Sequence, residues 1–412
     1  MAATGIQRAS ARTRGGIEAF PLEFTGSGGE YFRVWIVNVL LSIVTLGIYT
    51  PWARRRTAQY FYSHTQIAGS PLEFAAQQRK MVVGFLMMAA LYLAYRIAAD
   101  TGQELASMLL LFGFAALTPF LWGSAMRFRL SATRWRGIRL AFTASWREVY
   151  TASWPVFAIA AIWIVVLFAI GAMSPEPLAG VESDESPLEL PSLGGLAIGL
   201  GTVGVLLTLL CIIRLEYNYR SLLVLRARIG NQMGRWKPVY MDFVRVWLAT
   251  AGFFLLLMLA VSLGFSLISG SMAVLFKRFG SGGPAGMVLF FLLMAVGGLL
   301  ALILISLPAR AYRQARMFQL VWNNVGVSRI ARFKTNLRTW PFIRLRLKNM
   351  LFTLLTLGFY RPFALASEYA MKVDSVMLYL KGGTDQLVGE LVKQQGAFGD
   401  AAADALGLDL IG

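Results

Sequence analysis

The sequence is poor in charged side chains and in the residues that build metal or redox sites. Only 15% of its residues are Asp, Glu, Lys or Arg, whereas 57% are hydrophobic. A single cysteine, Cys211, cannot form an intramolecular disulfide, and a single histidine, His64, cannot build a metal site alone. We therefore expect no metal centre and no cofactor. The apolar excess over 412 residues indicates a membrane protein with several membrane segments.

Ionisable residues are absent from the central parts of the long apolar segments. Proton relays, ion-coupled carriers and intramembrane catalytic dyads place such groups there. No paired carboxylates, nucleophile–base pair or metal cluster can be assembled from the remaining residues. The sequence therefore predicts a protein that is not an enzyme.

The net charge of +18 comes from Lys and Arg residues that cluster just outside the apolar runs. The positive-inside bias and the anionic lipids of the cytoplasmic leaflet account for this arrangement, so we expect no nucleic-acid partner. Either general anchoring or a specific lipid site would use such residues. The candidate contacts to lipid headgroups are Arg54, Arg55, Arg56, Arg134, Trp135 and Arg136.

Six apolar segments have about 19 residues or more, which is enough to cross a hydrocarbon layer of roughly 30 Å. We expect these six to be transmembrane helices. They are 81–99, 105–126, 152–173, 192–213, 246–276 and 286–307.

Two shorter apolar segments, 34–50 and 349–360, carry an internal repeat. TLGIYTPWA at 45–53 returns as TLGFYRPFA at 356–364. Glycine and proline in each copy favour a helix end or a bend. If both segments dip in and return on the same side, nearly all Lys and Arg residues lie in the cytoplasm, and so do both termini. We prefer these re-entrant or interfacial helices, with short tilted spans as the alternative.

Each copy also carries polar residues at i, i+4 and i+7, which share one face of a helix. Such a stripe needs partners in hydrocarbon. The two stripes could face each other and form a polar path or grip a headgroup. They could equally be packing contacts between helices. The candidate residues are Asn38, Ser42, Thr45, Asn349, Thr353 and Thr356.

Short segments of alternating character near a glycine predict small β-hairpins on the cytoplasmic face, with a structural or partner-binding role. The sequence PLEF at 21–24 and 71–74 is one example. The expected fold is an all-α polytopic membrane protein with these hairpins added. We divide it into an N-terminal segment with a short strand (1–30), one membrane domain (31–380) with repeat copies at 31–74 and 341–380, and a tail (381–412).

The segment FTGSGGEYFRVWIVNVLLSIVTLGIYTPWARRR, with Tyr62 and Thr65 ahead of the next strand, resembles the YjgN-like family of bacterial inner-membrane proteins of uncharacterised function. The second copy fits the same family, and the resemblance covers essentially the whole chain. It implies a multi-pass inner-membrane protein and transfers no catalytic residues. The second copy departs from the first, because Leu365, Ala366 and Ser367 replace its three arginines.

Two functions are compatible with these features. The first is a lipid or small-solute transporter or channel-like protein that uses the polar stripes. The alternative is a membrane scaffold or regulator that binds a partner enzyme, such as a membrane-associated metallopeptidase, through strands or tail. The sequence leaves the ligand and the oligomeric state open.

Overall fold

The computed structural model describes residues 11–14, 17–173, 195–230, 232–280, 283–328 and 331–381. The predicted tail beyond residue 381 lies outside these residues. The helices are α1 (Gly28–Val44), α2 (Thr50–Ser63), α3 (Gln78–Asp100), α4 (Glu104–Ala132), α5 (Trp146–Ala152), α6 (Trp154–Met173), α7 (Gly195–Arg226), α8 (Tyr240–Gly280), α9 (Pro284–Trp322), α10 (Thr339–Leu355) and α11 (Arg361–Val373).

Short strands lie between the helices. They are β1 (Ala11–Arg14), β2 (Ile17–Phe24), β3 (Thr65–Ile67), β4 (Ser70–Phe74), β5 (Thr133–Trp135), β6 (Ile138–Phe142), β7 (Ala227–Ile229), β8 (Gln232–Trp236), β9 (Val325–Val327), β10 (Ala331–Thr335) and β11 (Val376–Lys381).

These strands form one sheet in the order β1-β2-β11-β10-β9-β8-β7-β6-β5-β4-β3, and a further pairing of β2 with β3 closes it. The result is a closed antiparallel barrel of ten strands, with β1 added outside the ring. The prediction of an all-α fold with separate small hairpins was therefore wrong. Most of the pairings that close the ring join strands separated by helices, which local patterns of residues do not reveal.

The individual hairpins have a local cause. In the β3–β4 turn, Ala68 and Gly69 have φ angles of 49° and 71°, and in the β5–β6 turn Arg136 and Gly137 have 49° and 77°. Two consecutive residues with positive φ match the right-handed twist of a two-residue hairpin, and glycine adopts the second position without strain. The glycines at these turns are therefore needed for their backbone conformation.

The barrel interior is a hydrophobic core. Strand β11 alternates buried and half-buried residues, so that Val376, Leu378 and Leu380 point inward. They form one cluster with Leu22 of β2 and Ile138 of β6. Helices contribute to the same cluster, which fills the interior with apolar side chains.

The helices alternate with the barrel strands along the chain. Helices α1 and α2 connect β2 to β3, α3 and α4 connect β4 to β5, α8 and α9 connect β8 to β9, and α10 and α11 connect β10 to β11. Each of these helical pairs therefore starts and finishes at the barrel.

Five of the described helices are long and apolar enough to cross a membrane, namely α3, α6, α7, α8 and α9. The prediction of six transmembrane helices was wrong in this respect. The segment 105–126 lies in α4, which is not among the five. The count of five covers the described residues, and several side chains in the first turns of α4 are not among them.

The described residues divide into two compact units, one within 1–81, 132–140 and 229–412 and the other within 82–131 and 141–228. In the second unit, Ser145 and Glu148 form a capping box at the start of α5. Glu148 also pairs with Arg226 at the end of α7. Tyr219 stacks on Trp122 with ring centroids 4.1 Å apart. The first unit contains both copies of the repeat.

Candidate lipid-binding groove

Both copies of the repeat form the turn of a helical hairpin. In the first, the Thr45 Oγ1 hydroxyl donates to the Leu41 carbonyl at 2.7 Å and accepts from the Tyr49 amide at 3.0 Å. In the second, Thr356 makes the corresponding bonds to Phe352 and Tyr360 at 2.6 and 2.9 Å. The segments predicted as single short helices are thus the ends of α1 and α10 with the turns that follow them.

The two turns share an unusual backbone. Leu46 and Leu357 both have a φ of 50°, and the glycines after them have 88° and 96°. Glycine accepts this conformation readily, whereas a left-handed leucine costs about 1–2 kcal/mol. The two leucine side chains are 93% and 92% exposed. Each hairpin therefore ends in an apolar tip that the described protein does not cover.

The polar stripes are used inside their own hairpins. Asn38 donates to the Ala53 carbonyl at 3.4 Å, which joins α1 to α2. Asn349 donates to the Ala364 carbonyl at 3.3 Å, which joins α10 to α11. Thr353 donates to the Asn349 carbonyl at 2.6 Å. These contacts are the packing interactions that the sequence left as one alternative. A polar path between the two stripes stays a prediction.

The two asparagines should differ in their contribution to stability. Asn349 also donates to Ser367 Oγ at 3.1 Å and to Glu368 Oε1 at 3.2 Å, and its side chain is 2% exposed. We expect Asn349→Ala to lower the free energy of unfolding by about 1–3 kcal/mol, because it removes the donor that joins α10 to three acceptors of α11. Asn38→Ala, which removes one longer bond, should have the smaller effect. Thermal unfolding of both variants in detergent would show this, and equal losses would contradict it.

A groove of about 670 Å³ lies between α1, α2 and β4, all within the first unit. It opens beside the first helical hairpin. Its walls combine cationic, polar and apolar side chains, namely Arg33, Val34, Val37, Arg56, Gln59, Tyr60, Ser63, His64, Leu72, Glu73 and Phe74.

The α1 wall changes character along its length. Arg33 lies near the start of the helix, and Val37, Leu41 and Val44 follow it on the same helical face toward the tip. These three apolar side chains are all exposed. The wall is therefore charged near the barrel and apolar farther away, as a ligand with a polar head and a hydrophobic chain requires.

The charged side chains of the groove lie on different walls. Within the described part of the chain, the side chains of Arg33 on α1 and Glu73 on β4 take part in no hydrogen bond or ion pair. The guanidinium of Arg56 lies 5.9 Å from the ring centroid of Tyr49. These charges do not neutralise one another by direct contact, so a bound ligand could pair with them.

The barrel end of the groove is a fixed polar cluster. Tyr60 Oη accepts from the Ser27 amide at 2.9 Å and donates to the Ser27 carbonyl at 2.8 Å. Burial raises the pKa of Tyr60, so the phenol stays neutral. Glu30 accepts from the Ser27 amide and lies 4.0 Å from His64 Nε2. This cluster holds the start of α1 against the end of α2.

Ser63 and His64 suggest a nucleophile–base pair, but their geometry argues against it. His64 Nδ1 lies 2.7 Å from the Tyr60 carbonyl, which can only accept, so Nδ1 carries the proton. Ser63 Oγ contacts that same nitrogen, at 3.2 Å, rather than the basic Nε2. His64 therefore does not deprotonate Ser63 in this arrangement. Among the described residues, no group of three His, Cys, Asp or Glu side chains could hold a metal ion.

The predicted headgroup contacts have different positions. Arg56 faces the groove, whereas Arg54 is exposed on the other side of α2 and Arg55 is half-buried. Trp135 is buried in the barrel core and donates to the Ile67 carbonyl.

The other two predicted arginines lie on the β5–β6 hairpin. Arg136 donates to Ser70 Oγ at 2.8 Å and to the Ala68 carbonyl at 3.2 Å. Arg134 lies opposite Glu73 in the register of β5 and β4. Of the six predicted residues, Arg56 is the one that lines the groove.

Sequence reasoning did not select Arg33, Gln59, His64 or Glu73 as site residues. Arg33 corresponds to Arg344 in the second copy, since each lies 12 residues before its repeated segment, but that match alone does not mark a site. Glu73 lies on β4, which the β3–β4 hairpin returns to the side of α2. The second hairpin has Ser367 where the first has Arg56, so it lacks the second guanidinium of this groove.

The chain is similar to inner-membrane proteins. It is 28% identical over 149 residues to the inner membrane protein YjgN of Salmonella typhimurium strain LT2, covering 36% of this chain and 37% of that protein. The YjgN protein of Escherichia coli K12 is also 28% identical over 148 residues, covering 36% of this chain and 35% of that protein. The chain thus matches little more than a third of each relative. No solved structure matches significantly.

A family model describes most of the chain, because it matches residues 19–405. The family is described as a bacterial protein of unknown function. The resemblance to YjgN-like proteins is confirmed by both comparisons. The chain belongs to the DUF898 family, whose description assigns no activity.

Proposed function

We propose that this membrane protein binds a phospholipid in the groove of its first helical hairpin, and that its role is to handle that lipid rather than to catalyse a reaction. One observation carries the proposal. Arg33 and Arg56 reach one groove from two helices, and the α1 wall beyond them becomes apolar. Phospholipids have the same order of charge and hydrocarbon.

The two guanidinium groups suit a phosphate. Arginine presents several N–H donors in a planar fork and pairs well with phosphate oxygens. The pair would fix the headgroup near the barrel. From Val37 to Val44 the helix rises about 10 Å, along which an acyl chain could lie against exposed apolar side chains.

The apolar barrel interior favours a binding site at the hairpin rather than a solute path through the barrel. Leu378 and Leu380 are buried there with Trp135 and Ile138 in one hydrophobic cluster. A water-filled path for a solute would need polar side chains instead. The scaffold alternative depends on the tail beyond residue 381, which lies outside the described residues.

Removal of the two guanidinium groups should weaken lipid binding. We expect Arg33→Gln with Arg56→Gln to lower lipid retention at least about tenfold, since a hydrogen bond to a charged group contributes about 1.5–3 kcal/mol. Native mass spectrometry of the full chain, purified in mild detergent and titrated with phospholipid, would measure the bound fraction.

Two arginines provide matched controls for this experiment. Arg54→Gln removes a charge from the same helix outside the groove, and Arg344→Gln removes the partner of Arg33 in the second hairpin. Both should retain lipid as the wild type does. Equal loss in the control variants would indicate a general effect of charge, and unchanged retention in the double variant would overturn the proposed site.

A further inference from the structure

The strand wall of the groove carries a carboxylate, which has no role in binding a phosphate. Glu73 is exposed on β4 and lines the same groove as Arg33 and Arg56. Its register neighbour on β5 is Arg134, yet the two form no ion pair of 4 Å or less in the described residues. The groove therefore presents two cationic side chains on helices and one anionic side chain on a strand.

The other acidic residue near the groove is already engaged. Glu30 accepts a hydrogen bond from the Ser27 amide, and it lies beside Tyr60 and His64. It also completes the capping box of α1. Glu73 is consequently the groove carboxylate that is available to a ligand.

An anionic headgroup would fit this arrangement poorly. Its phosphate would pair with Arg33 and Arg56, but the rest of the headgroup would leave Glu73 without a partner. A zwitterionic headgroup with separated charges can pair with both walls. A primary ammonium adds three N–H donors for the carboxylate, whereas a quaternary ammonium has none.

On the basis of the proposed function, we infer that the groove selects aminophospholipids, with the phosphate at Arg33 and Arg56 and the primary ammonium at Glu73. Selection then arises from a difference between headgroups and not from the acyl chains. Phosphatidylethanolamine is the simplest lipid of this class. Phosphatidylcholine lacks the N–H donors, and phosphatidylglycerol lacks the cation.

The test compares these three lipids in one membrane. The full chain is reconstituted into nanodiscs with equal parts of the three lipids, released into mild detergent, and analysed by native mass spectrometry. We expect the wild type to retain phosphatidylethanolamine about tenfold over either competitor, which corresponds to about 1.4 kcal/mol. Glu73→Gln should lower phosphatidylethanolamine retention about tenfold, to the level of phosphatidylcholine, whereas Glu73→Asp should preserve much of the preference.

Controls separate the failure of this inference from that of the proposed function. Glu23→Gln removes an exposed carboxylate from β2, outside the groove, and should keep the preference. Lipid binding that depends on Arg33 and Arg56 but shows no headgroup preference would overturn the selection alone. Lipid binding that does not depend on these arginines would overturn the site itself.

Competition with a soluble compound distinguishes a lipid ligand from a free phosphate compound. Phosphoethanolamine carries both headgroup charges and lacks acyl chains, so it should fail to displace the lipid at concentrations where phosphatidylethanolamine does. Displacement by phosphoethanolamine at equal concentration would overturn the lipid as the ligand. Folding of each variant is checked by its elution in size-exclusion chromatography.

Discussion

Leu380→Ala is expected to lower the free energy of unfolding by about 2–5 kcal/mol, because it opens a cavity in the barrel core. Leu380 is 0% exposed and packs in one cluster with Leu22, Ile138 and Leu378. It lies on β11, the strand that joins the C-terminal part of the barrel to β2. Thermal and denaturant unfolding in detergent would measure the loss.

The neighbouring position on β11 provides the control. Tyr379 is half-buried and points away from the core, where its ring lies 5.7 Å from Lys334 Nζ. We expect Tyr379→Ala to cost less than Leu380→Ala, although it removes a larger side chain. Equal or reversed effects would mean that the interior side of β11 has been assigned incorrectly.

The importance of β11 follows from its place in the chain. Strands β2 and β11 pair over five positions, from Met377 opposite Pro21 to Lys381 opposite Ile17, and they come from opposite ends of the sequence. A second link lies beside them, where the Phe24 amide donates to Asp374 Oδ1 at 2.8 Å. Closure of the barrel therefore requires both ends of the chain, and a weakened β11 affects the whole ring.

The difference between local and distant information explains how far the sequence predicted the fold. The hairpin turns could be predicted, since Gly69 and Gly137 permit a backbone that few residues adopt. The barrel could not, because strands of three to eight residues carry little pattern and most of them pair with strands that are distant in the sequence. The membrane character could be predicted from composition, because composition does not depend on which residues contact one another.

The same distinction applies to the site. The repeat predicted Asn38 and Asn349 as matching residues, and the structure places them in matching hydrogen bonds between paired helices. The groove brings Arg33, Arg56 and Glu73 together from three elements. No spacing along the chain indicates that juxtaposition, because β4 lies beside α2 only once the strands pair.

Aspartate at the two hairpin tips is expected to shift both tips out of the bilayer interior. Leu46 and Leu357 are almost fully exposed, and each has a backbone conformation that leucine adopts at a cost. In water, neither the strain nor the exposure would bring a benefit, whereas in hydrocarbon an exposed leucine is favourable. We therefore expect these tips to lie in the bilayer. Charged residues cost about 2.5–3.5 kcal/mol at a bilayer centre, so Leu46→Asp with Leu357→Asp should pull the tips toward the headgroups.

Spin labels at single cysteines in a Cys211→Ala background would measure tip depth directly. Labels at the exposed neighbouring positions Ile48 and Phe359 should collide with oxygen, which concentrates in hydrocarbon, and be protected from a water-soluble nickel complex. A label at Arg54, which is exposed outside the groove, should show the reverse. Leu46→Asn provides the matched comparison, because asparagine tolerates the left-handed backbone while it removes the apolar side chain. If leucine occurs at position 46 because the tip lies in hydrocarbon, Leu46→Asn should shift the tip outward, even though asparagine adopts this backbone with less strain. Nickel access to both wild-type tips would instead place them in water.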